Sequence, residues 1–502
     1  MQFYFIVTLS SKIGFISGLL VFLFIILFTN LEPSNPKVTY TAASAVLMAI
    51  WWMTEAIPLA ATSLLPFILF PLMGVLKGEE IASSYFNSVI FLFLGGFLLA
   101  LAMEEWGLHK RIALKIINQF GGSPSSIVIG FMIATAFLSM WISNTAAALM
   151  MLPIGLAIIH KMEKEFGEET TKNFSITLML SLAYACSLGG IATLIGTPPN
   201  LAFIRIYKII FPEAPAISFG SWMLLAIPIS ILMLIFTSFL LSKVFYKFDK
   251  NLRIDPAFIK EEYLKLGKAT FEEKTVAVVF GITALLWIFR ADLNLGFIQI
   301  PGWQKVLPFP DYIDDGTVAI GMSFLLFFIP SKKEKRTLLD VKVFSKIPWG
   351  IILLFGGGFA LAEAFTKGGL SEFIGKSFYN LNFSPLLIAF SIAFVINFLT
   401  ELTSNTATAQ MILPIAASLS VALGIHPLLL MIIATISSSM AFMLPVATPP
   451  NTIVFASERL KIANMVKAGF AVNIMGVILV TIIVWFLGNI LFDFSSFPDW
   501  AK

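Results

Sequence analysis

The sequence predicts an all-α polytopic membrane protein built on an internal repeat, and three observations predict it. Hydrophobic residues make up 58% of the 502 and charged residues 12%, whereas a soluble domain carries about a quarter charged residues. Apolar runs long enough to cross a bilayer, which takes roughly 20 residues, follow one another from Ile13 to the neighbourhood of Leu491. Two polar motifs also recur in the same order in both halves. SNTAAALMMLPI at 143–154 returns as SNTATAQMILPI at 404–415, and GTPPN at 196–200 returns as ATPPN at 447–451.

Taken in order, spans are expected near 12–29, 39–55, 57–76, 86–105, 174–210, 220–243, 275–290, 316–330, 348–366, 427–456 and 467–491. The first runs past a signal-peptide core and has no small-residue cleavage site before Asn30, so it reads as retained. Residues 126–160 and 384–421 are each about 35 residues long, too long for one crossing, and small polar residues break each in the middle. Re-entrant hairpins suit both.

Positive residues in short loops favour the cytoplasmic side. His109, Lys110, Arg111 and Lys115 precede the first hairpin, and Lys161 and Lys164 follow it. Counting crossings from there puts three further basic loops inside: Lys247, Lys250, Arg253 and Lys268; Lys332, Lys333, Lys335 and Arg336; and Arg459, Lys461 and Lys467. Asp311, Asp314 and Asp315 fall outside. The amino terminus comes out cytoplasmic and the carboxyl terminus extracytoplasmic, in a plasma (inner) membrane. Five spans lie between the hairpins. An odd number of crossings turns the second copy over, so the repeat is of inverted topology. GGFLLALA at 95–102 against GGFALAEA at 357–364 extends the repeat upstream.

Irregular backbone survives at membrane depth only inside protein or along a wet cavity. Pro198-Pro199 and Pro449-Pro450 each remove two amide donors, which is expected to stop a helix and free carbonyls fit for sodium. Ser143-Asn144-Thr145 and Ser404-Asn405-Thr406 sit where a second hairpin arm begins, and a helix start presents N–H groups to an anion. No lysine, arginine or histidine lies in either tip or either proline break. Neutral donors must then hold a carboxylate, with sodium supplying the balancing charge. Two facing copies suggest two carboxylates on one substrate. Singly, Ser-Asn-Thr is an ordinary N-cap and Pro-Pro an ordinary helix stop; recurrence in an apolar chain favours a site. Glu55 and Glu401 read as candidate cation or proton sites, Glu401 equally as a loop-edge residue. Glu104, Glu105 and Glu363 read as interfacial.

Other classes fit poorly. The only cysteine, Cys186, excludes a disulfide framework, and a net charge of +4 spread over short loops gives no nucleic-acid footprint. No HExxH helix or catalytic pair argues for an enzyme, and two half-sites in one chain do not resemble a symmetric channel filter.

WWMTEAIPLAATSLLP at 51–66, both Ser-Asn-Thr tips, GTPPN, and SSMAFMLPVATPPNTIVF at 438–455 resemble the divalent anion/sodium symporter family, over nearly the whole chain. The resemblance implies eleven spans, two re-entrant hairpins, a homodimer, and scaffold and transport domains working as an elevator. Residues 1–125 would be scaffold helices, 126–243 the first transport half, 244–383 a basic loop and further scaffold, and 384–502 the second transport half. It implies one sodium at Ser139, Ser143, Asn144 and Gly196 and a second at Thr400, Thr403, Asn405 and Ala447. A small residue is common where Thr403 stands, where ligation would come from the carbonyl. Substrate carboxylates would meet Asn144, Thr145, Thr197, Ser404, Asn405, Thr406 and Pro449. The expected function is sodium-coupled symport of C4-dicarboxylates such as succinate, malate and fumarate, with no organic cofactor. A sodium-independent exchanger and a sodium-coupled citrate or sulfate carrier are the alternatives.

Overall fold

The computed structural model describes residues 9–249, 252–253, 255–295, 298–378 and 383–502. Lys250, counted above among the basic loop residues, lies outside them. The chain is mostly helical, and its only strands among the described residues are the two-residue pair Leu293–Asn294 and Gln299–Ile300.

The amino-terminal part contains α1 (Leu9–Phe28), α2 (Pro36–Thr54), α3 (Leu59–Thr62), α4 (Leu65–Leu72), α5 (Gly78–Tyr85) and α6 (Ser88–Glu105). The run 57–76, expected as one span, is therefore two short helices. Pro66 falls in the first turn of α4, where its missing N–H costs nothing, so the chain restarts there rather than continuing. The amphipathic α7 (Leu108–Ile117) leads into a helical hairpin, α8 (Pro124–Ser139) and α9 (Asn144–Phe166). Then follow α10 (Glu168–Ile191) and α11 (Pro198–Ile210), which divide the expected span 174–210, and α12 (Phe219–Phe239) with a π-helical turn at Leu240–Phe245.

After the short α13 (Pro256–Lys265), the middle of the chain forms α14 (Phe271–Ile288), α15 (Asp315–Leu325) and α16 (Trp349–Lys367). α15 ends earlier than the 316–330 expectation, and turns over residues 326–328 complete the run. The second amphipathic helix, α17 (Leu370–Phe378), leads into the second hairpin, α18 (Pro385–Leu399) and α19 (Asn405–Ala422). The broken pair α20 (Pro427–Ser438) and α21 (Pro449–Phe455) and the long α22 (Ile462–Phe492) complete the fold. Among the described residues, seven helices are long and apolar enough to cross a membrane.

Polar contacts sort the loops to two ends of the bundle. Arg111 of α7 bonds both carboxylate oxygens of Glu273 and the carbonyls of Leu266 and Gly267. Arg336 pairs with Glu105, Arg459 pairs with Glu163, and Asn173 donates to the Lys247 carbonyl. The basic loops therefore share one end. At the other end Lys376 pairs with Glu32, Lys367 pairs with Glu80, and Asn35 donates to the Gly368 carbonyl. α8 and α9 rise from the first end and α18 and α19 from the second.

The halves interlock. α11 packs on α19 and α20, and α21 packs on α9 and α10. Three glycines let α16 serve as a common wall: a Cβ on Gly356 would come within 2.0 Å of Tyr85, one on Gly357 within 2.5 Å of the Ser63 carbonyl, and one on Gly358 within 2.3 Å of Gln410.

Candidate functional site

Both hairpin tips are made the same way. In the first, Ser143 leaves the helical region and its hydroxyl accepts from Ala146 N, capping α9. In the second, Ser404 takes the same backbone conformation, but its hydroxyl makes no capping bond. In both, a hydroxyl one turn before the tip reaches the tip asparagine. Ser139 Oγ lies 2.5 Å from Asn144 Oδ1 and 2.7 Å from the Cys186 carbonyl. Thr400 Oγ1 lies 2.7 Å from both Asn405 Oδ1 and the Ser438 carbonyl. A hydroxyl has one proton to give, so each cluster of three oxygens has one more close oxygen contact than a proton can bridge.

The prolines act differently from the sequence expectation. They do not end the preceding helices; α10 stops at Ile191 and α20 at Ser438, several residues upstream. Each Pro-Pro pair instead opens the following helix, α11 or α21, where a missing N–H costs least. The carbonyls released by the breaks are largely taken within the protein. Asn200 Nδ2 donates to Gly190, Ile191 and Thr193 carbonyls at 3.3, 3.2 and 2.7 Å. Asn451 Nδ2 donates to Ala441 and Leu444 carbonyls at 3.2 and 3.0 Å. These last residues of the two PPN motifs were missed in reading the sequence, although their recurrence at equal offsets was the signal.

The Gly196 carbonyl lies beside the first oxygen cluster. A Cβ placed on Gly190 would sit 2.7 Å from Asn144 Oδ1 and 3.0 Å from the Gly196 carbonyl. Glycine is needed here to let those two oxygens approach one point. A Cβ on Gly189 would fall 2.2 Å from the Ala136 carbonyl, so the same glycine pair brings α10 against α8.

Tips and helix starts meet at a cavity of about 1350 Å³. Ser143, Asn144, Thr145, Gly196 and Thr197 line it from the first half, and Thr403, Ser404, Asn405, Thr406, Ala447 and Pro449 from the second. Of the residues expected at the site, only Ser139 and Thr400 do not line it; both are fully buried behind the tips. The Thr403 hydroxyl is engaged with Leu399 O and Thr408 Oγ1. Thr145, Thr197, Ser404 and Thr406 make no side-chain hydrogen bond among the described residues, so their hydroxyls are available to the cavity. The wall continues through Ser10, Ser11, Trp52, Thr54 and Glu55. Among the described residues Glu55 is the single charged one in the lining, and it closes α2 in a left-handed conformation at φ 46°.

Glu401, read from sequence as either a cation site or a loop-edge residue, is buried at 3% exposure. Its carboxylate accepts from the amides of Phe442, Met443 and Leu444 and from Asn473 Nδ2. Glu105 and Glu363, expected near span ends, lie beside Arg336 and Lys367.

Two hairpin tips and two restarted helices that bring polar groups to one cavity, in a helical and largely apolar chain, define a membrane transport protein. The chain belongs to the family described as sodium:sulfate symporter transmembrane region, which it matches over residues 11–493. It is 44% identical over 486 residues to a sodium-dependent dicarboxylate transporter, SdcS, of Staphylococcus saprophyticus, covering 95% of this chain and 91% of the relative. It is 45% identical over the same length to the protein of that name from Staphylococcus aureus. In fold it resembles the YdaH transporter of Alcanivorax borkumensis, with TM-score 0.57 and 13% identity over 89% of this chain and 99% of that one. It also resembles MtrF of Neisseria gonorrhoeae, with TM-score 0.55 and 12% identity over 89% and 94%.

Proposed function

We propose that the chain carries C4-dicarboxylates across the plasma membrane by symport with sodium. One observation carries this reading: among the described residues the cavity holds two matched sets of neutral donors and no positive side chain. A dianion there has hydroxyl, amide and helix-start N–H groups to bind it and nothing of the protein's to neutralise it. Cations bound behind the two tips would supply that charge, which makes each ligand's affinity depend on the other. Ser139, Ser143, Asn144 and Gly196 would hold one sodium, and Thr400, Thr403, Asn405 and Ala447 the second. The dicarboxylate would span Asn144, Thr145 and Thr197 on one side and Ser404, Asn405, Thr406 and Pro449 on the other. The names of the staphylococcal relatives support the substrate class. Two facing donor sets suit two carboxylates better than one tetrahedral sulfate.

The working cycle is part of the proposal. Treating α3–α4, α5–α6, α10–α11 and α20–α21 as one span each gives, with α1, α2, α12, α14, α15, α16 and α22, eleven spans, with α8–α9 and α18–α19 as inverted re-entrant hairpins. The positive-inside rule places the basic end in the cytoplasm, the amino terminus inside and the carboxyl terminus outside. On that orientation the cavity, walled by the start of α1 and the end of α2, faces inward. The interlocking of α11 with α19 and of α21 with α9 supports their moving together as one transport body. With them would go the rest of 126–243 and 384–502, while 1–125 and 244–383 would form the scaffold and the contact for a homodimer. Cross-linking at native concentration tests the dimer.

Uptake of labelled succinate into proteoliposomes tests the function. Accumulation in empty vesicles that requires an inward sodium gradient, and not an equal potassium gradient, is the expected result. Uptake that ignores sodium but needs internal succinate would make the protein an exchanger.

A further inference from the structure

The two halves repeat one plan, yet they hold their breaks differently. In the first half α10 runs on to Ile191, so the amides there remain in helical turns, and Ala192 N still bonds the Gly189 carbonyl. The link between break and hairpin tip is neutral: Thr193 Oγ1 donates to the Met140 carbonyl and accepts from Gly196 N. In the second half α20 stops at Ser438, leaving the amides of Phe442, Met443 and Leu444 without helical partners. Glu401, which stands where the first half has Met140, takes all three at 2.6 to 3.1 Å. Asn473 of α22 adds a fourth donor at 2.7 Å.

Both carboxylate oxygens face N–H donors, so the group acts as an acceptor in every contact it makes. No lysine, arginine or histidine forms an ion pair with Glu401 among the described residues. The carboxyl group is thus buried, bonded to neutral N–H donors, and one residue from Thr400, whose hydroxyl reaches Asn405 and Ser438. The first half buries no acid at the corresponding place.

Resting on the function proposed above, we propose that Glu401 is a positioning residue of the second cation site and its fixed countercharge, so the two cation sites are unequal and the second binds sodium more tightly. The carboxylate fixes the unwound segment 442–444 against the hairpin tip and supplies a negative field that the first site lacks. Sodium at the second site completes this arrangement before the substrate arrives.

A double-mutant cycle on the purified full-length protein tests this, reading sodium-dependent thermal stabilisation without succinate. In a Ser139→Ala background, where the first site is impaired, Glu401→Gln is expected to raise the half-saturating sodium concentration by about tenfold. In a Thr400→Val background the same change should move it less than about twofold. A merely structural role would lower the melting temperature without sodium in both backgrounds and leave both half-saturations unchanged, which would overturn the proposal. Glu401→Asp, which keeps the charge, serves if the glutamine variant does not fold; it should stay nearer the parent in sodium affinity in the Ser139→Ala background, and a collapse there would also count against the proposal. Wild-type protein with no stabilisation by sodium over potassium would overturn this inference and the symport reading together. Sodium-dependent uptake with unchanged half-saturation in the Glu401 variants would overturn this inference alone.

Discussion

Thr400 Oγ1 lies 2.7 Å from Asn405 Oδ1, and Ser139 repeats the relation to Asn144 at 2.5 Å. Each asparagine turns its carbonyl oxygen toward the buried hydroxyl, while its Nδ2 makes no bond among the described residues. One side chain therefore serves the oxygen cluster behind the tip and the cavity in front of it. Asn144→Ala and Asn405→Ala should each lower sodium-driven succinate uptake by more than about tenfold, since each removes ion and substrate contacts together. Sodium-dependent thermal stabilisation should be lost in parallel, and near-normal uptake in both variants would sink the assignment.

Asn200 and Asn451 stabilise the breaks rather than touch cargo. Replacing either with alanine leaves two or more buried carbonyls without their donor, at a cost of about 2–3 kcal/mol. The melting temperature in detergent should fall in each variant, with sodium present or absent. A fall confined to the sodium-bound form would instead make the asparagine a ligand.

Gly190 gives a test by size alone. In Gly190→Ala the new methyl would meet Asn144 Oδ1 at 2.7 Å and the Gly196 carbonyl at 3.0 Å. Overpacking of this kind costs about 1–3 kcal/mol, and here it falls on the first oxygen cluster. The sodium concentration for half-maximal uptake should rise. Gly281→Ala on α14, with nothing within 4 Å, is the control that should leave uptake unchanged.

Arg111 ties the helix before the first hairpin to the start of α14. It bonds two carboxylate oxygens and two carbonyls, a pattern that a lysine ammonium does not reproduce. Arg111→Ala should destabilise the protein by about 3 kcal/mol, and Arg111→Lys should recover little of it. Chemical unfolding in mild detergent measures both.

Glu55→Gln removes the only charge that the described residues place in the cavity wall. Succinate affinity at saturating sodium should improve about threefold at low ionic strength, and the difference should shrink in high concentrations of an inert potassium salt. An effect independent of salt would point to the left-handed backbone at this position rather than to its charge.

The hairpins and cavity-lining motifs were readable because Ser-Asn-Thr and Thr-Pro-Pro-Asn repeat as contiguous strings. Contacts between segments were not. Nothing local tells that Asn200 folds back on carbonyls up to ten residues earlier, or that prolines inside an apolar run begin a helix well after the previous one has ended. Glu401 was ambiguous for a related reason. Its partners lie about forty residues on, and they are free only because α20 ends at Ser438 where its counterpart α10 continues. The break in 57–76 was hidden because the run averages as apolar, with only Thr62 and Ser63 marking the restart before α4.

On the symport proposed above, a chamber whose sole charge among the described residues is negative would also set the fidelity of energy conversion. A dianion that enters without its cations meets repulsion from Glu55 and finds no opposite charge in the walls, so its dwell time is short. Leakage of cargo down its own gradient is thereby suppressed without a gate. The tightness of coupling, usually sought in moving parts, would then follow from a wall that carries no lysine or arginine among the described residues.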